Sequence, residues 1–204
     1  IVGATCSRAI CPQFEMRPLG RLRLNSEGEG FVEHRLVLIG FGTVGQGLAE
    51  ILCTQRAALE AASGVHFTVV AVSDLLKGSV YCPEGLDLEA LLSLARAGQR
   101  LDAYPDAAGV SKGWDSLTTI AQAAADTVVE VSWTDVKTGQ PAIDHVKAAF
   151  ASGKHAVLTN KGPVALAYHE LQQAADAAGR LLRFEGTVMS GTPALRLGTD
   201  LLAG

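Results

Sequence analysis

A doubly wound, mostly parallel α/β sheet is the fold this sequence predicts, and three observations carry the prediction. Short apolar runs alternate with stretches of helical periodicity from residue 35 onward; the first run ends in three closely spaced glycines; an acidic residue ends the second. Strands that alternate with helices imply crossover connections, and crossovers imply parallel pairing with helices on both faces.

The elements follow in order. "RLVLIG" (35–40) is continuously apolar, as a strand covered on both faces should be. Val44, Leu48, Ile51, Leu52, Leu59 and Ala62 then recur at helical spacing, so a single helix is expected up to a C-terminal cap at Gly64. "HFTVVAVSD" (66–74) is a second strand. Residues 86–98 and 114–125 read as helices, joined by a looser stretch with Pro105 and Gly109. "DTVVEVS" (126–132) is a third strand, and a helix runs from about Pro141 to Ser152, ended by Gly153. "HAVLTN" (155–160) is a fourth strand. Pro163 opens a helix whose apolar face is Val164, Ala167, Leu171, Ala174 and Ala178, ended by Gly179; "LLRFEG" (181–186) is a fifth strand. Residues 1–33, broken by Pro12, Pro18, Gly20, Gly28 and Gly30, show no sustained period and are expected to be an irregular extension without chemistry.

Composition narrows the class. At 48% hydrophobic and 19% charged over 204 residues, the chain can bury a sizeable core and is far from a disordered composition. Net charge is −4 with no dense basic run, which argues against nucleic acid or an anionic membrane surface as a partner. No apolar run is long enough to cross a bilayer, and no signal-peptide pattern opens the chain. Cys6, Cys11, Cys53 and Cys82 have no metal-ligand spacing. They are expected to be free thiols in a reducing, cytoplasmic compartment.

The glycines acquire meaning from this frame. Gly40, Gly42 and Gly45 form G-x-G-x-x-G at the first strand–helix junction. In a Rossmann dinucleotide-binding fold the first glycine makes the tight turn and the second admits a pyrophosphate. The third packs helix on strand, and the helix N-terminus offers free N–H groups to the phosphates. Asp74, beside Ser73 at the end of the second strand, is the matching acidic residue. It lies farther along than the usual ~20 positions because the intervening helix is long. Its carboxylate would accept from the ribose hydroxyls of NAD and repel the 2′-phosphate of NADP, while Lys77 would offset that repulsion. The expectation is NAD(P), leaning to NAD. Asp74 as a plain turn cap is the alternative.

Ligands of such sheets sit beyond the carboxyl ends of the strands. Candidates by position are therefore Ser132–Asp135, Thr159–Pro163 and the stretch from Glu185 to Pro193. Lys161 there could hold or protonate a carbonyl oxygen as hydride arrives; taken alone, it reads more readily as a solvated loop lysine.

The segments "GFGTVGQGL", "AVSD", "GLDLEALL", "VVEVSWTDVKTGQPAIDHVKAAFASGKHAVLTNKGPVALAY" and "FEGTVMSGTPALRL" together resemble the nucleotide-binding half of homoserine dehydrogenase, in order, over about residues 34–204. The resemblance implies an oxidoreductase interconverting L-homoserine and L-aspartate 4-semialdehyde with NAD(P), in threonine, methionine and isoleucine biosynthesis. It implies that Phe41, Gly42, Thr43 and Val44 wrap the pyrophosphate, that Ser132 approaches the nicotinamide, and that Asn160 and Lys161 match the family's Asn-Lys pair. Lys161 would then contact cofactor and substrate in proton transfer. It also implies a sodium ion held at Glu185, Val188, Ser190 and Thr192, mostly through carbonyl oxygens. Trp133 stands where the family often has proline, and Gly186 where alanine is common. Residues 34–188 would be the NAD(P)-binding domain. Residues 189–204 would begin a substrate and dimerisation domain, so the chain is expected to be a fragment, inactive alone, of a protein that is a homodimer when complete. Another amino-acid dehydrogenase of the same fold, such as an aspartate dehydrogenase, and a non-catalytic nucleotide-binding module are the alternatives.

Overall fold

A computed structural model describes residues 21–24, 30–190 and 192–198. Among the described residues eight strands form one sheet: β1 Arg21–Leu24, β2 Gly30–Ile39, β3 Val65–Asp74, β4 Gly78–Tyr81, β5 Ser111–Lys112, β6 Thr127–Glu130, β7 His155–Leu158 and β8 Leu182–Arg183. Their order is β5-β4-β3-β2-β6-β7-β8, with β1 paired to β2 off that path. The pairs joining β3, β2, β6, β7 and β8 are all parallel. β1, β4 and β5 add antiparallel margins.

Seven α-helices are present among the described residues: α1 Thr43–Thr54, α2 Arg56–Ser63, α3 Leu88–Arg96, α4 Ser116–Gln122, α5 Ala142–Ala151, α6 Lys161–Ala178 and α7 Ala194–Leu197. Two apolar clusters result, one on each face. Val37 and Ile39 of β2 pack with Ile120, Val146, Phe150 and Leu171 beneath α4, α5 and α6. Leu36 and Leu38, the alternate residues, pack with Ala49, Leu52, Leu91 and Leu92 beneath α1 and α3. A strand covered on both faces favours apolar side chains on both, which explains the unbroken run over residues 36–39 in β2.

Local signals place the helix ends. The Asp87 side chain accepts from the N–H groups of Glu89 and Ala90 and starts α3, and Asp115 accepts from Thr118 N–H and starts α4. Gly64 and Gly179 end α2 and α6 in the left-handed conformation, as expected of C-terminal caps.

Three expectations are corrected. The single helix expected before Gly64 is two, because Gln55 leaves helical geometry (φ −115°, ψ 15°) between α1 and α2. β4 and β5 were not foreseen; they are two short strands, and a run that short carries almost no periodicity. Within the stretch read as irregular, Arg21–Leu24 pairs antiparallel with the first residues of β2. The remainder of residues 1–29, with Cys6 and Cys11, lies outside the described residues, as do Gly191 and residues 199–204. Cys53 and Cys82 are free thiols. Among the described residues no helix is long and apolar enough to cross a membrane.

Candidate functional site

Strand order alone locates a crevice. β2 has β3 on one side and β6 on the other, so the crossovers leaving β2 and β6 run in opposite directions and part above their carboxyl ends. The glycine turn lies there. Gly40 holds φ of +100°, and a Cβ on it would lie 2.6 Å from Ser132 N and 2.7 Å from Ser132 Cα, so only glycine lets the turn after β2 touch the turn after β6. A Cβ on Gly45 would collide with the Gly40 carbonyl oxygen; that contact seats α1 on the turn. Over Gly42 there is open space, with nothing within 4 Å of a Cβ built there. No side chain caps α1 at Gly42, so its first-turn N–H groups face that space. Thr43 and Val44, both exposed, begin that turn. A dinucleotide pyrophosphate fits this cradle in shape and charge.

Two residues of the expected set play supporting parts. Phe41 is fully buried in the core, its N–H is donated to Asp74 Oδ2 (2.8 Å) and its carbonyl accepts from Gln46 Nε2 (2.9 Å), so neither its side chain nor its N–H reaches the open space. Ser73 is buried, and its carbonyl accepts the Gly40 N–H at 2.7 Å.

Asp74 is the hinge between glycine turn and β3. Its Oδ2 takes Phe41 N–H, and its Oδ1 takes the N–H groups of Leu76 and Lys77, each at 3.0 Å. Burial pushes its carboxyl upward, but the donors Phe41, Lys77 and Leu76, with the nearby Lys77 ammonium, outweigh that and hold it below the ordinary value. The Lys77 ammonium is 3.9 Å away. Asp74 therefore caps a turn and still presents an ionised carboxylate at the crevice. The two readings of this residue are compatible.

At the other wall, Ser132 and Asn160 meet around a residue that the sequence did not single out. Glu130, the last residue of β6, is completely buried. Its Oε1 accepts from Ser132 N (2.8 Å), Ser132 Oγ (2.6 Å) and Asn160 Nδ2 (2.8 Å). Its Oε2 lies 2.5 Å from His145 Nδ1, and His145 Nε2 lies 2.7 Å from Ser116 Oγ. A lone carboxylate in the apolar run "VVEV" was the available signal, since a buried charge must be partnered. Lys161 is the first residue of α6, exposed, and no hydrogen bond or ion pair among the described residues takes its ammonium. It is a cation beside the crevice.

The expected cation ligands lie on one turn. Glu185–Thr187 is a short 3-10 helix, Val188 N–H donates to the Glu185 carbonyl (3.3 Å), and Thr192 N–H donates to the Met189 carbonyl (3.1 Å). Met189 and Ser190 hold φ of 55° and 53°, two successive non-glycine residues in the left-handed region. Among the described residues no group of three or more His, Cys, Asp and Glu could hold a metal.

Residues 40–185 match the family model of the homoserine dehydrogenase NAD-binding domain. The chain is 36% identical over 172 residues to an NAD(+)-dependent homoserine dehydrogenase of Pseudomonas canavaninivorans, covering 84% of this chain and 48% of that protein. It is 33% identical over 169 residues to a homoserine dehydrogenase of Methanocaldococcus jannaschii, covering 83% and 49%. A hyperthermophilic archaeal homoserine dehydrogenase solved in complex with NADPH superposes with a TM-score of 0.70 at 26% identity, covering 84% of this chain and 50% of that one. The chain thus spans about half the length of the curated relatives it matches.

Proposed function

Because the chain belongs to the homoserine dehydrogenase family through its NAD-binding domain, we propose that it carries the cofactor side of an enzyme interconverting L-homoserine and L-aspartate 4-semialdehyde. The observation that carries the reading is convergence. The glycine turn, Asp74, Ser132, Asn160 and Lys161 all lie at the carboxyl ends of β2, β3, β6 and β7, around one crevice. When bound, NAD(P) supplies or accepts the hydride. The α1 N-terminus and the Gly42 cradle bind the pyrophosphate. Asp74 accepts from the adenosine ribose hydroxyls, and Ser132 and Asn160 orient the nicotinamide. Lys161 places a positive charge and a transferable proton at the substrate oxygen, where charge develops as hydride moves.

The Asp74 carboxylate favours NAD, since a 2′-phosphate brought beside it meets like charge that the Lys77 ammonium only partly cancels. The turn over Glu185, Val188, Ser190 and Thr192 is read as a sodium site built mainly from carbonyl oxygens, which suit a hard cation. In support, Met189 and Ser190 hold a strained turn that surrounding structure must maintain. Replacing choline chloride by sodium chloride at equal ionic strength should then raise the thermal midpoint, and equal midpoints would remove the sodium site.

Titrating the chain with NADH, NADPH and ADP-ribose tests the main reading. Saturable binding of all three is expected, tightest for NADH, with no appreciable homoserine oxidation by this chain alone. Absence of dinucleotide binding would overturn the proposal.

A further inference from the structure

We propose that Glu130 is a positioning residue which turns Ser132 and Asn160 into a pair of acceptors for the carboxamide N–H groups of the nicotinamide ring. The inference rests on the cofactor reading above and names how that site distinguishes the reacting end of its ligand. A carboxylate only accepts hydrogen bonds. With Asn160 Nδ2 at 2.8 Å from Glu130 Oε1, the Asn160 amide has one possible orientation: its nitrogen faces Glu130 and its Oδ1 is left to accept. Ser132 donates its single hydroxyl proton to the same oxygen at 2.6 Å, so its lone pairs are what remain for a ligand. One buried oxygen therefore sets the polarity of two side chains that belong to different strand ends.

The other carboxylate oxygen is anchored from behind. His145 of α5 is buried, and its Nδ1 must carry the proton it gives to Glu130 Oε2 at 2.5 Å. Its Nε2 then meets Ser116 Oγ at 2.7 Å, tying the unit to the start of α4. The anchoring leaves Glu130 unable to turn away from Ser132 and Asn160. A ligand group with two N–H donors complements two acceptors; a carbonyl or methyl in that place would leave them unpaired.

Acetylpyridine adenine dinucleotide is the matching probe, because a methyl replaces the carboxamide nitrogen of NAD. Affinities of this chain for NAD, that analogue and ADP-ribose give the test. Wild type should bind NAD about fivefold more tightly than the analogue, the range expected of one or two net hydrogen bonds. Glu130→Ala should erase that difference while ADP-ribose affinity stays within about twofold, since the pyrophosphate and ribose contacts are untouched. Equal binding of NAD and analogue by wild type overturns the proposal. So does a Glu130→Ala variant that still prefers NAD, or one that loses ADP-ribose by the same factor as NAD. Failure of wild type to bind NAD and ADP-ribose at all would instead defeat the cofactor reading itself. Should Glu130→Ala not fold, Asn160→Asp decides the matter. Its carboxylate would lie against Glu130 and repel it at about pH 8, and a shared proton would restore the arrangement as pH falls toward about 5. Preference for NAD over the analogue should therefore be lost at the higher pH and recovered at the lower. A preference that does not vary with pH overturns the role of Glu130.

Discussion

At Asp74 a turn cap that the structure shows coincides with the ligand contact proposed above, and the two duties can be separated by substitution. Its oxygens hold three backbone N–H groups, from Phe41, Leu76 and Lys77. Asp74→Ser keeps a short acceptor for the turn and removes the charge. Both NADH and NADPH should bind more weakly, but the ratio of their affinities should move toward NADPH by about tenfold, the equivalent of ~1.4 kcal/mol of relieved repulsion. An unchanged ratio, measured by fluorescence titration, would mean that the carboxylate only caps its turn. Asp74 was legible in the sequence because an acidic residue ending the second strand follows from the motif. Glu130 was not, although it sits in an equally clear strand, since nothing in "VVEVS" says which distant donors close around a buried carboxylate. Phe41 differs in the other direction: the family resemblance implied a ligand contact there, whereas the side chain is core and the N–H belongs to Asp74.

At the scale of elements, the junctions matter more than the elements. The crossing of β2 into α1 depends on Gly45 lying against the Gly40 carbonyl, which is backbone and cannot swing aside. Gly45→Ala should therefore cost about 1–3 kcal/mol of stability by overpacking. It should also weaken dinucleotide binding more than a surface substitution of equal cost, because relief comes only by lifting α1 off the turn. Urea denaturation and NADH titration on the same variant measure both effects. β7 makes a second junction, with the edge strand β8. Buried His155 accepts Leu181 N–H on its Nδ1 (2.9 Å), which the ring can do only when that nitrogen is unprotonated. Burial pushes its pKa down, with Arg180 and His34 adding to the effect. The folded pKa thus lies below the unfolded value of about 6.5, and the unfolded chain binds the proton first as pH falls. Stability from this group is full above about pH 6.5 and declines below it, down to the folded pKa. His155→Asn, which keeps an acceptor but cannot titrate, should flatten the fall in denaturation midpoint between about pH 7.5 and 5.5. An equally steep fall in the variant would assign the pH dependence to other groups. The strong, long elements were legible from period and caps. β4 and β5 were not, and the Gln55 break was hidden because helical spacing of apolar residues runs through it.

For the molecule as a whole, the alternation of elements announced a parallel sheet, but not the strand order, and the order is what makes a site. Gly40, Asp74, Ser132 and Asn160 are far apart in the chain; they converge because β2 lies between β3 and β6. Right-handed crossovers that diverge from that line leave the crevice, and sequence periodicity contains no term for it. The same arrangement predicts how a ligand acts on stability. A dinucleotide in the crevice would touch the β3 side through Asp74 and the β6–β7 side through Ser132 and Asn160, so unfolding of either half must release it. Under two-state unfolding, ligand at a hundred times its Kd adds about 2.7 kcal/mol. For a chain of this size that corresponds to about 5–11 °C in the thermal midpoint. In the proposed site ADP-ribose would reach only the Asp74 side and the pyrophosphate cradle, and should give a smaller shift than NADH when both are present at the same multiple of their Kd only if the β6–β7 side can unfold separately. A cooperative sheet predicts equal shifts at equal saturation. Differential scanning fluorimetry with both ligands distinguishes the cases: equal shifts mark one cooperative unit spanning the switch point, and unequal shifts with a second transition mark two. The two buried clusters both draw on β2, whose alternate residues face opposite sides of the sheet. Neither cluster can dissolve while that strand stays in place, so the expected outcome is equal shifts in a single transition.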